Sequence, residues 1–113
     1  KEKAGAVIVV SDPIFSSHVR TIAALAARHL LPSISSFRSY AEAGVLITYG
    51  ANFGDLYRRA ATYVDKIFKG AKPGDLPVEQ PTIFELYING KTAKALRLKI
   101  PQSLLISADK VIE

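Results

Sequence analysis

Ser11, Asp12, Ser36, Tyr49 and Gly50 are the residues whose types and spacing suit them to hold a small polar molecule. Each ends or follows a segment that reads as extended, and ligands of open α/β sheets gather at the carboxyl ends of strands. In Val10-Ser11-Asp12-Pro13 a short acceptor sits in a loop stiffened by proline, where Asp12 can accept from an amine or a hydroxyl. The competing reading is an Asx turn or a helix cap, both of which aspartate favours. Ser36 lies at a second strand end. At a third, Tyr49 precedes a glycine that lets backbone approach closely. Tyr49 can stack on a ligand, or stand half-buried with its hydroxyl in water.

Motifs for bond-making chemistry do not complete themselves. Gly90-Lys91-Thr92 resembles the end of a phosphate-binding loop, but Glu85 stands where that motif needs glycine and Leu86-Tyr87-Ile88 replaces its flexible loop. Gly50-Ala51-Asn52-Phe53-Gly54 lacks dinucleotide spacing and reads better as a strand exit followed by a cap. His18 and His29 fall on a predicted helix with no nucleophile beside them, and G-x-S-x-G is absent. Asp12 as a phosphoacceptor would need Mg²⁺ held by further carboxylates, and no acidic pair follows the first strand. Zero cysteines exclude thiol chemistry and cysteine-based zinc sites. No metal or cofactor site is expected.

The elements that must position these residues follow from periodicity. Ala6 to Val10 is a β-branched run of the kind buried on both faces of a parallel sheet. Ser16 to Leu30 carries Val19, Ile22, Ala23, Ala26 and Leu30 at helical spacing, and Pro32 stops it. Ser33 to Phe37 is extended, Arg38 to Gly44 a helical turn, and Val45 to Tyr49 a strand broken by Gly50. Asn52 caps a helix whose stripe is Phe53, Leu56, Ala60, Val64, Ile67 and Phe68. Gly70 to Pro77 is a surface turn, Val78 to Asn89 is extended, Thr92 to Leu96 is a short helix, and Gln102 to Ala108 is a last helical turn. Strands alternating with helices imply an α/β fold, a layered and mostly parallel sheet flanked by helices.

With 113 residues and 49% hydrophobic content, the chain suffices for a single core. Surface scaling sets the folded area near 6,000 Å². The longest apolar runs are far below the ~20 residues of a membrane helix. Lys1 to Gly5 leads straight into the first strand, without the apolar core of a signal peptide. The net charge of +5 raises the question of a polyanionic partner, yet Arg58, Arg59, Lys66, Lys69 and Lys72 follow one helix, where Asp55 can pair with Arg59 and Asp65 with Lys69. That pattern is a solvated face, and no nucleic-acid partner is expected.

A resemblance spans nearly the whole chain. The stretches Asp55 to Ile67, Lys69 to Thr82, Phe84 to Asn89, Lys91 to Leu96 and Ile100 to Leu105 resemble the carboxyl-terminal part of ABC-transporter substrate-binding proteins of the tryptophan/tyrosine type. Ala6 to Pro13, Tyr40 to Gly44 and Tyr49-Gly50 are similar to it as well. The chain departs from the pattern at Ile83, where lysine is common, at Gly90, where a larger residue is usual, and at Arg97, where glycine often ends the short helix.

The resemblance implies a piece of a type I periplasmic-binding-protein fold. Residues 4–32 would belong to the second lobe, 33–77 to the first, and 78–113 would return to the second. A small solute, of the amino-acid kind, would be captured in a cleft and passed to a membrane permease outside the cytoplasm, with no reaction catalysed, so the resemblance implies that the chain is not an enzyme. Asp12 would give a lobe-two polar contact, with Ser36 and Tyr49-Gly50 near the hinge or cleft. The missing signal peptide is then explained by truncation. Closure needs both lobes, so this segment alone is expected to bind solute weakly or not at all and to associate as a homodimer. The rival is a ligand-sensing regulatory domain of the same fold type.

Overall fold

The computed structural model describes residues 3–113, so Lys1 and Glu2 of the opening segment lie outside the described residues. In chain order the elements are β1 (Val7–Ile8), α1 (Pro13–Ser17), α2 (Val19–Arg28), β2 (Ser33–Ser35), α3 (Arg38–Glu42), β3 (Ile47–Ala51), α4 (Phe53–Phe68), a 3₁₀ turn (Pro73–Asp75), β4 (Phe84–Asn89), α5 (Gly90–Ala95), α6 (Gln102–Ser107) and β5 (Lys110–Ile112). The five strands form one sheet in the order β1-β2-β3-β4-β5. β1, β2 and β3 run parallel, with Val7 opposite Ser33 and Ile34 opposite Ile47, and β4 runs parallel to β5. The amide of Asn89 donates to Leu46 and that of Asn52 to Ile83, so residue numbers rise along β3 as they fall along β4, and that pair is antiparallel. The expected layered, mostly parallel α/β sheet is the observed one.

By internal contacts the chain divides into two compact units, residues 1–50 with 85–113, and residues 51–84. The resemblance set the limits elsewhere, at 32/33 and 77/78. In the first unit β2 is hydrogen-bonded between β1 and β3, which keeps Ser33 to Ser35 in its sheet.

In that unit α2 and α3 lie against one sheet face, where Val9, Ala23, Tyr40 and Val45 form a core joined by Val7, Val19, Ile22 and Phe37. A second cluster joins Leu46 to Ala93 and Leu96, with Ile47 and Ile100 against it. The first strand corrects the sequence reading. Val9 is buried at 6%, but Ile8 and Val10 are 77% and 60% exposed, so Ala6 to Val10 is covered on one face only. The accessible surface, 8296 Å², exceeds the scaling value by roughly a third.

Local signals moved several boundaries. The expected helix from Ser16 to Leu30 is two helices, because Asp12 caps a short α1 and His18, at φ −114°, breaks register before α2. α5 starts two residues earlier than periodicity suggests, since Asn89 caps it and accepts from Thr92 at 2.9 Å. β4 occupies only the second half of Val78 to Asn89, and β5 was not anticipated.

Four helices end in one motif. The amides of Leu30 and Leu31 return to Ala27 and Ala26, those of Gly44 and Val45 to Ala41 and Tyr40, those of Gly70 and Ala71 to Ile67 and Lys66, and those of Arg97 and Leu98 to Lys94 and Ala93. The motif needs a left-handed residue, which Gly44 and Gly70 provide freely. Leu30 and Arg97 adopt it at φ 54° and 55°, at a cost of about 1 kcal/mol each. Glycine at position 97 in the resembling family therefore meets a conformational demand of the helix end.

The second unit is built on α4. Asn52 caps it, accepting from the Asp55 amide at 2.9 Å. Segment 73–80 lies along the helix, and the Tyr63 hydroxyl donates to the Pro77 carbonyl at 2.6 Å. Arg59 pairs with Glu79 and donates to Thr82 Oγ1 at 3.2 Å. The predicted Asp55–Arg59 pair is thus not made. Asp55 lies 4.0 Å from Arg58 instead, while Lys69 reaches Asp65 at 2.8 Å as expected. The Arg59 guanidinium, hydrogen-bonded to it, holds the Glu79 carboxyl below its ordinary value.

Candidate functional site

The parallel strands bring four of the five sequence-predicted residues to their carboxyl ends. β1 leads to Ser11 and Asp12, β2 to Ser36, and Gly50 lies in the last turn of the pleat in β3. Ser11 Oγ and Ser36 Oγ are 2.5 Å apart, so the two hydroxyls share one proton between them. Two hydroxyls carry two protons, and the second remains to donate elsewhere. Gly50 packs directly against this point: a Cβ there would lie 2.0 Å from the Ser36 carbonyl oxygen. Only glycine lets β3 pass that close to the end of β2.

Asp12 does what the competing reading expected of it. Its Oδ1 accepts from the Ile14 amide at 2.8 Å and caps α1. Capping does not exhaust a carboxylate, which has a second oxygen and several lone pairs. Asp12 is exposed, directly beside Ser11 in the chain. Tyr49 alternates with the buried Thr48 along β3 and stands on the more open sheet face, 57% exposed. The face toward which its ring projects also carries Ile8 and Ile34.

Several residues that shape this end of the sheet were not singled out from the sequence. Ser35 Oγ donates to the Val9 carbonyl at 2.9 Å, and Ser33 Oγ accepts from the Leu46 amide at 3.2 Å, both buried. These bonds tie β2 to its two neighbours through side chains. Ser16 Oγ lies 2.8 Å from the Tyr40 hydroxyl. A serine-rich run next to strand-forming residues was the available signal, but serine is so common at turns that the signal does not discriminate.

His18 and His29 stay at the flanks of α2. The His18 Nδ1 lies 2.8 Å from the Ile14 carbonyl, which accepts. Among the described residues no group of three His, Cys, Asp or Glu side chains converges on a point. Also among them, no helix is long and apolar enough to cross a membrane. A cavity of about 410 Å³ lies in the second unit between α4 and segment 73–80. Its walls are Leu56, Ala60, Ile67, Leu76 and Val78, and its charged groups Arg59 and Glu79 already satisfy each other. It offers a polar solute little, and none of the predicted site residues line it.

What the first unit defines is a polar, hydroxyl-rich end of a parallel sheet. The family described as ABC transporter substrate binding protein matches residues 1–112, and the chain belongs to that family. Among solved structures it is similar to a conserved domain protein from Vibrio cholerae, with 25% identity, a TM-score of 0.90, and coverage of 96% of this chain and 36% of that one. It is similar to an ABC domain from Streptococcus pneumoniae in complex with L-Trp, at 30% identity and a TM-score of 0.89, covering 97% of this chain and 37% of that one. The fold also matches a ligand-free, open substrate-binding protein with adhesive properties from Clostridium difficile, at 23% identity and a TM-score of 0.67, covering 94% and 36%. The chain therefore spans little more than a third of the length of these structures. A comparison with curated proteins gives no match.

Proposed function

We propose that this chain is the carboxyl-terminal part of a two-lobed solute-binding component of an ABC importer, working outside the cytoplasm and passing its solute unchanged to a membrane permease. The observation that carries this reading is the Ser11–Ser36 hydroxyl pair beside Asp12, at the strand ends of a chain that belongs to a substrate-binding family. The solute class we propose is a free amino acid. Asp12 accepts from its ammonium group, and the spare proton of the hydroxyl pair donates to its carboxylate. Tyr49 gives an aromatic face for an apolar side chain, and Gly50 keeps the strand ends close enough to present both hydroxyls together. The L-Trp complex of the pneumococcal structure supports this class. In the lobe assignment that fits the two compact units, residues 1–50 and 85–113 belong to one lobe and 51–84 to the other.

In the two-lobed context, Ser36→Ala and Asp12→Asn are each expected to weaken binding of L-tryptophan, the probe, by about tenfold, the worth of one charge-assisted hydrogen bond. Asparagine keeps the cap of α1, so the second variant separates the charge from the fold. Titration calorimetry reads both, and unchanged affinity in both variants would overturn the site.

The isolated segment exposes Ile8 and Val10 beside the open edge of β1, together with Tyr57, Phe68 and Val78 of the second unit. We propose that it pairs with a second copy through such surface. Light scattering at micromolar concentration is expected to give twice the chain mass, and a monomeric mass would contradict the pairing.

A further inference from the structure

We infer that Tyr40 is a positioning residue for the strand-end site, fixing Asp12 through Ser16; the inference rests on the reading of Asp12 as a solute contact. Tyr40 is 2% exposed, packed with Val9, Ala23 and Val45, and its ring lies 5.6 Å from that of Phe37. A phenylalanine would fill the same core. The hydroxyl needs a partner, because a buried hydroxyl without one is destabilising, and that partner is Ser16 Oγ at 2.8 Å.

The direction of the bond follows from the next one. Ser16 Oγ donates to the Asp12 carbonyl at 3.0 Å, and a carbonyl only accepts. Serine has a single hydroxyl proton, so the Tyr40 hydroxyl must be the donor to Ser16. The chain runs from the core outward, Tyr40 to Ser16 to the Asp12 carbonyl. The Ser16 amide reaches the same carbonyl at 2.9 Å. With Oδ1 held by the Ile14 amide, Asp12 is fixed at both its backbone and its side chain.

Such anchoring is needed locally. α1 has five residues and none is buried, far too short to hold its own first turn. The hold comes from α3, equally short but with Tyr40 and Ala41 buried, and Tyr40 is 24 residues from Ser16 in sequence.

The test uses Tyr40→Phe, Ser16→Ala and the double variant in the two-lobed context, with amide exchange by NMR and L-tryptophan as the probe. Each single variant is expected to speed exchange at the Ile14 and Ser16 amides about three- to tenfold, the worth of one ordinary hydrogen bond. The amides of Val9 and Asn89, bonded in the sheet, are expected to stay unchanged. The double variant is expected to match the singles, since the three groups act as one unit. L-Tryptophan affinity is expected to fall by the same factor in all three. Unchanged exchange at Ile14 and Ser16, or an equal rise across the chain, would overturn the inference. A wild-type protein that ignores every amino acid would overturn the solute reading alone, because the exchange pattern still decides the hold on Asp12. Where Tyr40→Phe fails to fold, Ser16→Ala reads the same link from an exposed position.

Discussion

Gly50→Ala is expected to destabilise the first unit by about 3 kcal/mol or more, the upper end of overpacking effects. The added Cβ would sit 2.0 Å from the Ser36 carbonyl oxygen and 2.9 Å from its carbon, and both atoms are backbone. A side chain could rotate away from such a clash. A peptide group between two paired strands moves only if β2 and β3 separate. That separation would also shift Ser36 at the end of β2, so the same substitution is expected to weaken solute binding. Gly74→Ala is the control, because a Cβ there meets nothing within 4 Å. Urea unfolding followed by circular dichroism reads both, and a loss below about 1 kcal/mol for Gly50→Ala would contradict the close approach.

Asn89→Ala is expected to cost about 2 to 3 kcal/mol, combining a lost helix cap with a lost buried hydrogen bond. Asn89 is 5% exposed and joins three elements. Its Oδ1 accepts from the Thr92 amide at 2.9 Å, its Nδ2 donates to the Ala41 carbonyl at 2.8 Å, and its own amide donates to Leu46 at 2.8 Å. The Ala41 carbonyl keeps the Gly44 amide, which holds the loss toward the lower end of the buried-group range. Asn89→Asp separates the two terms. It retains the capping oxygen but turns a carboxylate toward the Ala41 carbonyl, so it is expected to destabilise as well. Equal stability of Asn89→Asp and wild type would show that the bond to Ala41 contributes nothing.

The elements that could be read from the sequence are those whose signals are local. Asn52 before the stripe of α4 and Gly50 after Val45 to Tyr49 each announce themselves by residue type. Asp12 shows the limit of such reading: its place at a strand end was legible, but a cap and a ligand contact would call for the same carboxylate in the same loop. Ile8 and Val10 misled for a different reason. A β-branched run reports only that a strand can be buried, and which faces are covered depends on elements elsewhere. Tyr40 could not be linked to Asp12 at all, because the link passes through Ser16 and exists only once α3 packs under β1. β5 escaped because three residues, Lys110–Ile112, carry too little alternation to register, and their pairing with Tyr87 to Asn89 is made at long range.

The two units explain why composition pointed to one core while the structure shows incomplete cover. α4 has an apolar stripe and no buried residue, and β1 has one face in solvent. Both leave apolar surface uncovered, and both fit a segment that spans little more than a third of its structural relatives.

The central claim is that the strand-end site takes part in reversible capture of a free amino acid. Equilibrium dialysis of the two-lobed protein against a panel of amino acids that includes L-tryptophan, with chemical analysis of the solute afterwards, tests it most directly. Saturable retention of one solute class at one site per protein is expected, lost in Ser36→Ala, with every molecule recovered unchanged. Retention indifferent to Ser36, retention of no amino acid, or recovery of a chemically altered solute would contradict it.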